Sequence, residues 1–118
     1  MASVLSHPAV PLAVAVALGS KRVPAALTAA ACAASVLPDA DAIGYAAGIP
    51  YDHLFGHRGF THSIVFALFV AFVGCAFSER FGASRPAVFA MVLAAATSHG
   101  ILDAMTTGGL GVAFFSPF

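Results

Sequence analysis

The placement of charge constrains this chain more than any other feature of it. Four stretches, Pro8–Ser20, Val23–Pro38, Ser63–Ser78 and Pro86–Ser98, contain no Asp, Glu, Lys, Arg or His at all. Each is 13 to 16 residues long, short of the ~20 that cross a ~30 Å hydrocarbon layer unless the polar residues at their ends join the helix. Five basic and five acidic residues make only 8% of the 118 residues charged, against 60% apolar, where a soluble domain carries roughly 25% charged. A small globule has much surface for its volume and needs charge to keep that surface wet. A freely diffusing soluble monomer is therefore excluded, and so is disorder, which needs low hydrophobicity and high charge. Zero formal net charge leaves no basic footprint for phosphate contacts, so nucleic acid is not an expected partner. Membrane lipids are.

No stretch alternates with period two, and alanine and leucine favour helix. Pro24 and Pro86 fall where first helical turns begin, a place that tolerates a residue without an N–H. The expected fold is all-α: a four-helix integral membrane bundle, one domain over residues 1–118, with an irregular loop at Asp39–Gly59 between helices two and three. The 27 alanines and 11 glycines suit backbones that approach closely, within the bundle or between copies in a homo-oligomer. Cys32 and Cys75 lie in apolar runs and read as small buried hydrophobes. The start lacks the basic region of a secretory leader, so the first segment is expected to stay.

Tracing the four helices up and down sorts the polar residues. Lys21, Arg22, Arg80 and Arg85 fall at one end of the bundle, with Glu79. All five histidines and Asp39, Asp41, Asp52 and Asp103 fall at the other, where Arg58 is the single cation. The positive-inside rule makes the basic end cytoplasmic and predicts that the histidine end faces outward from a cell membrane.

The spacings at that end are chemically suggestive. His99 and Asp103 are four apart and share a helix face, which suits two metal ligands or a histidine oriented by a carboxylate. Asp39 and Asp41, two residues apart beside an apolar helix, are costly near a membrane without a partner. His57-Arg-Gly-Phe-Thr-His-Ser63 puts two histidines and an arginine just before a helix that Thr61 or Ser63 can cap. Gly56 and Gly59 let that loop fold His57 back. Arg58 is read either as an anion-gripping residue or as a salt bridge to Asp39 or Asp41. His7, before Pro8, points to the same end, whereas Asp52 and His53 read as loop surface. There is no Gly-rich phosphate loop, and His62 beside Ser63 does not make a catalytic triad. The set favours a divalent metal, with zinc, manganese or iron compatible with imidazole and carboxylate together.

Leu37-Pro-Asp-Ala-Asp41, Gly56-His-Arg-Gly-Phe-Thr-His-Ser63 and Ser98-His-Gly-Ile-Leu-Asp103, with Thr106-Thr-Gly-Gly after it, resemble the YdjM-type family. Its members are small inner-membrane proteins described as membrane-bound metal-dependent hydrolases. The resemblance runs along almost the whole chain. It implies that Asp39, Asp41, His57, His62, His99 and Asp103 are metal-binding positions, with His7 as the family's early histidine. It also implies a bacterial or archaeal inner-membrane location. Family members continue past Pro117–Phe118, so this chain is expected to be a fragment or a short member. A more distant similarity to helical zinc-dependent phospholipases and nucleases makes zinc the expected ion and a phosphoester an expected substrate.

The leading expectation is thus a membrane-bound hydrolase in which the metal lowers the pKa of a water toward ~7 for attack on an ester of an unidentified small or lipid-like substrate. Asp41 or Asp103 would instead stand behind the ligands or serve as general base, and Arg58 would stabilise negative charge. The rival is a non-catalytic membrane protein whose polar cluster is a structural metal site or clamp. A metal or proton carrier would need polar helix interiors, which offer only Thr28, Ser35 and Thr97–Ser98.

Overall fold

Proline and serine mark where the helices begin. In the computed structural model, which describes residues 5–107, 109 and 111–118, α1 (Ala9–Leu18) follows Pro8 and α2 (Ala25–Val36) follows Pro24. A 3₁₀ turn (Leu37–Ala42) and α3 (Ile43–Ala46) continue directly from α2. After a second 3₁₀ turn (Phe60–His62), α4 (Ile64–Cys75) starts at Ser63, whose hydroxyl accepts the Phe66 N–H at 3.1 Å. The short α5 (Ser78–Phe81) ends at Gly82 in the left-handed region (φ 64°). α6 (Arg85–Ala104) is capped by Ser84, with Pro86 in its first turn. The described residues contain no strand.

One of these elements differs from the sequence expectation. The segment predicted as irregular from Asp39 is helical as far as Ala46, so that Ala25–Ala46 forms one 22-residue rod. Pro38 sits in the first turn of its 3₁₀ segment, where a missing N–H is harmless, and the residues behind it hold no further breaker before Gly44. The fourth apolar stretch extends through His99 and Asp103, as their shared helix face predicts, to give a 20-residue helix. Ala25–Ala46 and Arg85–Ala104 are both long and apolar enough to cross a membrane. α1 and α4, at 10 and 12 residues, reach only about 15–18 Å at 1.5 Å per residue.

α6 lies centrally, packed on α2 and α4, with α1 set against α2. The seam is small: Ala31, Ala34, Ala71 and Ala95 are buried there beside Leu27, Val88, Met91 and Val92. A Cβ on Gly74 would lie 3.4 Å from both Val88 and Val92, so the backbones meet closely. The large apolar side chains point the other way. Val16, Phe69 and Phe72 are 83%, 61% and 66% exposed. Small inside and bulky outside is the reverse of a water-soluble core and suits a lipid surround, where close packing rather than water exclusion joins helices.

Because α5 packs on α2, the α1–α2 and α4–α6 connections share one end. Lys21, Arg22, Glu79, Arg80 and Arg85 are all exposed there. The opposite end holds the histidines and the remaining acids.

Candidate metal centre

The 3₁₀ turn after α2 presents Asp39 and Asp41, and α6 presents His99 and Asp103 one turn apart. The loop before α4 brings His57, Arg58 and His62, and His7 enters from just ahead of α1. That loop is tightly folded: a Cβ on Gly56 would run into the Pro50 and Tyr51 carbonyls, and one on Gly59 into that of Leu54. At Gly100 a Cβ would come within 3.2 Å of the His62 carbonyl, so glycine lets α6 approach the loop.

The donors converge. His62 Nε2 and His99 Nε2 are 3.0 Å apart. Asp39 Oδ1 lies 3.4 Å from His99 Nε2 and 3.9 Å from His62 Nε2. Asp103 Oδ2 lies 3.5 and 3.7 Å from the same two nitrogens. His7 Nε2 sits 3.8 Å from Asp39 Oδ2 and 3.7 Å from Asp103 Oδ1, and its ring stacks on that of His99 at 3.7 Å. Ligands held about 2.1 Å from one ion stand about 3.0 to 3.4 Å apart for right-angled to tetrahedral arrangements, close to these spacings. His7 supplies a second test of fit. It is fully buried, and neither ring nitrogen has a hydrogen-bond partner among the described residues. A buried imidazole left in this way lacks a partner that a cation would provide.

Three of the histidines are oriented from behind. His99 Nδ1–H donates to the Ser35 carbonyl at 2.7 Å, which leaves Nε2 as a lone pair facing the cluster. In the 3₁₀ register starting at Leu37, the donor to that carbonyl would be residue 38, a proline without an N–H. His57 Nδ1–H donates to Asp41 Oδ1 at 2.6 Å, and His62 Nδ1 stands 3.2 Å from Asp41 Oδ2. Thr61 Oγ1–H and the Arg58 backbone N–H also donate to Asp41 Oδ2, at 2.5 and 3.3 Å. Asp41 therefore stands behind two histidines, with both of its oxygens engaged.

Arg58 departs from the sequence reading. Its side chain pairs with Asp103, with Nε 3.3 Å from Oδ2, and reaches the Thr106 hydroxyl at 3.1 Å, rather than bridging to Asp39 or Asp41. A left-handed backbone (φ 69°), strained for a residue with a Cβ, allows its N–H and its guanidinium to face two different acids. Burial lowers the His7 pKa below the usual imidazole range, with the Asp39 and Asp103 carboxylates opposing, so His7 is neutral and able to ligate at pH 7.

The structure thus brings His7, Asp39, His62, His99 and Asp103 to one point, with Asp41, His57 and Arg58 around it. Asp52 and His53 are exposed outside. The residue motifs did not reveal the Ser35 carbonyl, Thr61 as a donor to Asp41, or Thr106 as a partner of Arg58. Pro38 is the one sequence signal that could have pointed to the first. A cavity of about 600 Å³ opens beside the cluster, its wall including His57, Arg58, Tyr51, Leu54 and Phe115.

These features define a class, a helical membrane protein with a buried His/Asp cluster able to hold a metal ion. The model of the YdjM inner membrane protein family matches residues 1–118, and the chain belongs to that family. It is 42% identical over 120 residues to the inner membrane protein YbcI of Escherichia coli (strain K12), covering all of this chain and 69% of that one. No solved structure matches it.

Proposed function

We propose that the protein is a multi-pass inner-membrane hydrolase that depends on a divalent metal, zinc by preference, and acts on a phosphoester or lipid-like substrate. The observation that carries this reading is the convergence of three imidazole Nε2 atoms and two carboxylates within a few ångströms. Imidazole and carboxylate together suit borderline ions such as zinc. A divalent ion bound there supplies Lewis acidity and lowers the pKa of a nearby water toward ~7. The chain's own residues do the rest. His57, in the cavity wall with Nδ1–H held by Asp41, presents Nε2 as a further donor beside the cluster. Arg58, in the same wall, offers its guanidinium to an anionic group while fixing Asp103. Exposed apolar side chains around the helices keep the site at the depth of lipid headgroups.

A second reading, a structural metal clamp without catalysis, draws support from burial. His7, His99 and Asp103 are between 0 and 4% exposed and form a four-donor set with Asp39. A closed four-donor set is the usual structural arrangement.

Metal analysis of detergent-purified protein tests the first step. Wild type should carry zinc, and His62→Ala and His99→Ala should lose most of it; unchanged content in both would end the metal reading. A phosphodiesterase and phospholipase screen of the zinc-loaded protein then separates enzyme from clamp. For topology, with Cys32 and Cys75 replaced, Leu54→Cys should label from outside intact cells and Gly82→Cys should not. The reverse pattern would invert the orientation.

A further inference from the structure

We infer that the cluster is a two-ion centre bridged by Asp39, and that the ion held by Asp39, His57 and His62 is the one that meets substrate. The inference rests on the metal reading above and adds a second site to it. The donors divide into two sets, each with its ligand atoms within 4.8 Å of one another: His7, Asp39, His99 and Asp103 in one, Asp39, His57 and His62 in the other. Asp39 alone belongs to both. Its two oxygens face different partners, Oδ1 toward His99 and His62, Oδ2 toward His7. Oδ1 thus stands between a nitrogen of each set, His99 Nε2 of the first and His62 Nε2 of the second, where a bridging oxygen would lie.

The two sets differ in openness. The first has four protein donors and is sealed, which completes a tetrahedral shell and leaves no position for water. The second has three, and one of them, His57, opens on the cavity. His57 is 12% exposed and lies in the wall of the 600 Å³ cavity, whereas His7, His99 and Asp103 are no more than 4% exposed. Three protein donors with an open fourth position is the arrangement of catalytic zinc. Asp41 takes the Nδ1–H of His57, so the nitrogen left to ligate is Nε2.

Charge supplies a consequence. Asp39, Asp41 and Asp103 against Arg58 leave the cluster two negative charges in excess when the histidines are neutral. One divalent ion neutralises it. A second makes it positive beside the cavity, which favours an anionic substrate such as a phosphoester over a neutral carboxyl ester or amide.

The test is zinc stoichiometry at saturation in detergent, read by elemental analysis against protein concentration. Two zinc per chain are expected in wild type and one in His57→Asn. One zinc in wild type, or two retained in His57→Asn, would overturn the second site. No zinc in wild type would instead overturn the metal reading itself, so the two failures are distinct. Should His57→Asn not fold, manganese-loaded wild type decides: an exchange-coupled spin-resonance spectrum is expected, and signals of isolated ions only would refute the pair.

Discussion

The two ends of the helix packing carry similar numbers of charged groups and use them in opposite ways. At the basic end, Lys21, Arg22, Glu79, Arg80 and Arg85 are all exposed, where each is hydrated and its pairing contributes little. At the other end, Arg58, His62, His99 and Asp103 are buried and contact one another. A buried charge is costly unless partnered. The difference teaches that the first set stays hydrated at the surface, while the second is gathered into a buried cluster that could hold a metal ion.

The widest gap should come from matched arginine substitutions in metal-free protein. Arg58→Met strips Asp103 of its guanidinium and should cost about 3–5 kcal/mol, whereas Arg85→Met should stay within about 0.5 kcal/mol. Equal losses in detergent unfolding would dissolve the contrast. Acidification comes next. As pH falls through the imidazole range, zinc should weaken by about tenfold per unit for each histidine that takes up a proton. Chelator competition between about pH 7.5 and 5.5 reads this, and pH-independent affinity would contradict histidine ligation. Asp41→Asn, which spoils the support of His57 and His62, should weaken zinc about 10–100-fold, while Glu79→Gln leaves affinity unchanged. The smallest contrast lies in the two serine caps. Ser63→Ala, removing a buried 3.1 Å cap, should cost about 1 kcal/mol, and Ser84→Ala, with its exposed 3.4 Å bond, about 0.5 kcal/mol. Thermal melts that ranked Ser84 above Ser63 would count against a tighter site end.

Much of this was legible in the residues. Charge-free stretches located the four longer helices, and connecting them in turn put the histidines at one end, because helix direction alternates whatever the details of packing. The helical course of Asp39–Ala46 was not legible: two aspartates after a proline read locally as loop, and tertiary contact decided otherwise. Arg58's choice of Asp103 over its neighbours Asp39 and Asp41 depends on a left-handed backbone angle that no motif encodes. His7 could be assigned to the right end but not to a place stacked on His99, since that requires knowing how the chain enters α1. Asp41 was expected either as a ligand like Asp39 or as a group behind the ligands or a base, and spacing alone did not choose. A two-residue offset on a 3₁₀ turn, about three residues per turn, aims the pair at different targets.

The support of His99 by the Ser35 carbonyl has a genetic consequence. Because the acceptor is main chain, Ser35→Ala leaves the hydrogen bond intact, and a scan that replaces polar side chains one at a time would score position 35 as silent. The dependence would surface only where the backbone itself is altered. Pro38→Ala, which returns an N–H to compete for that oxygen, is the substitution through which a selection could find it.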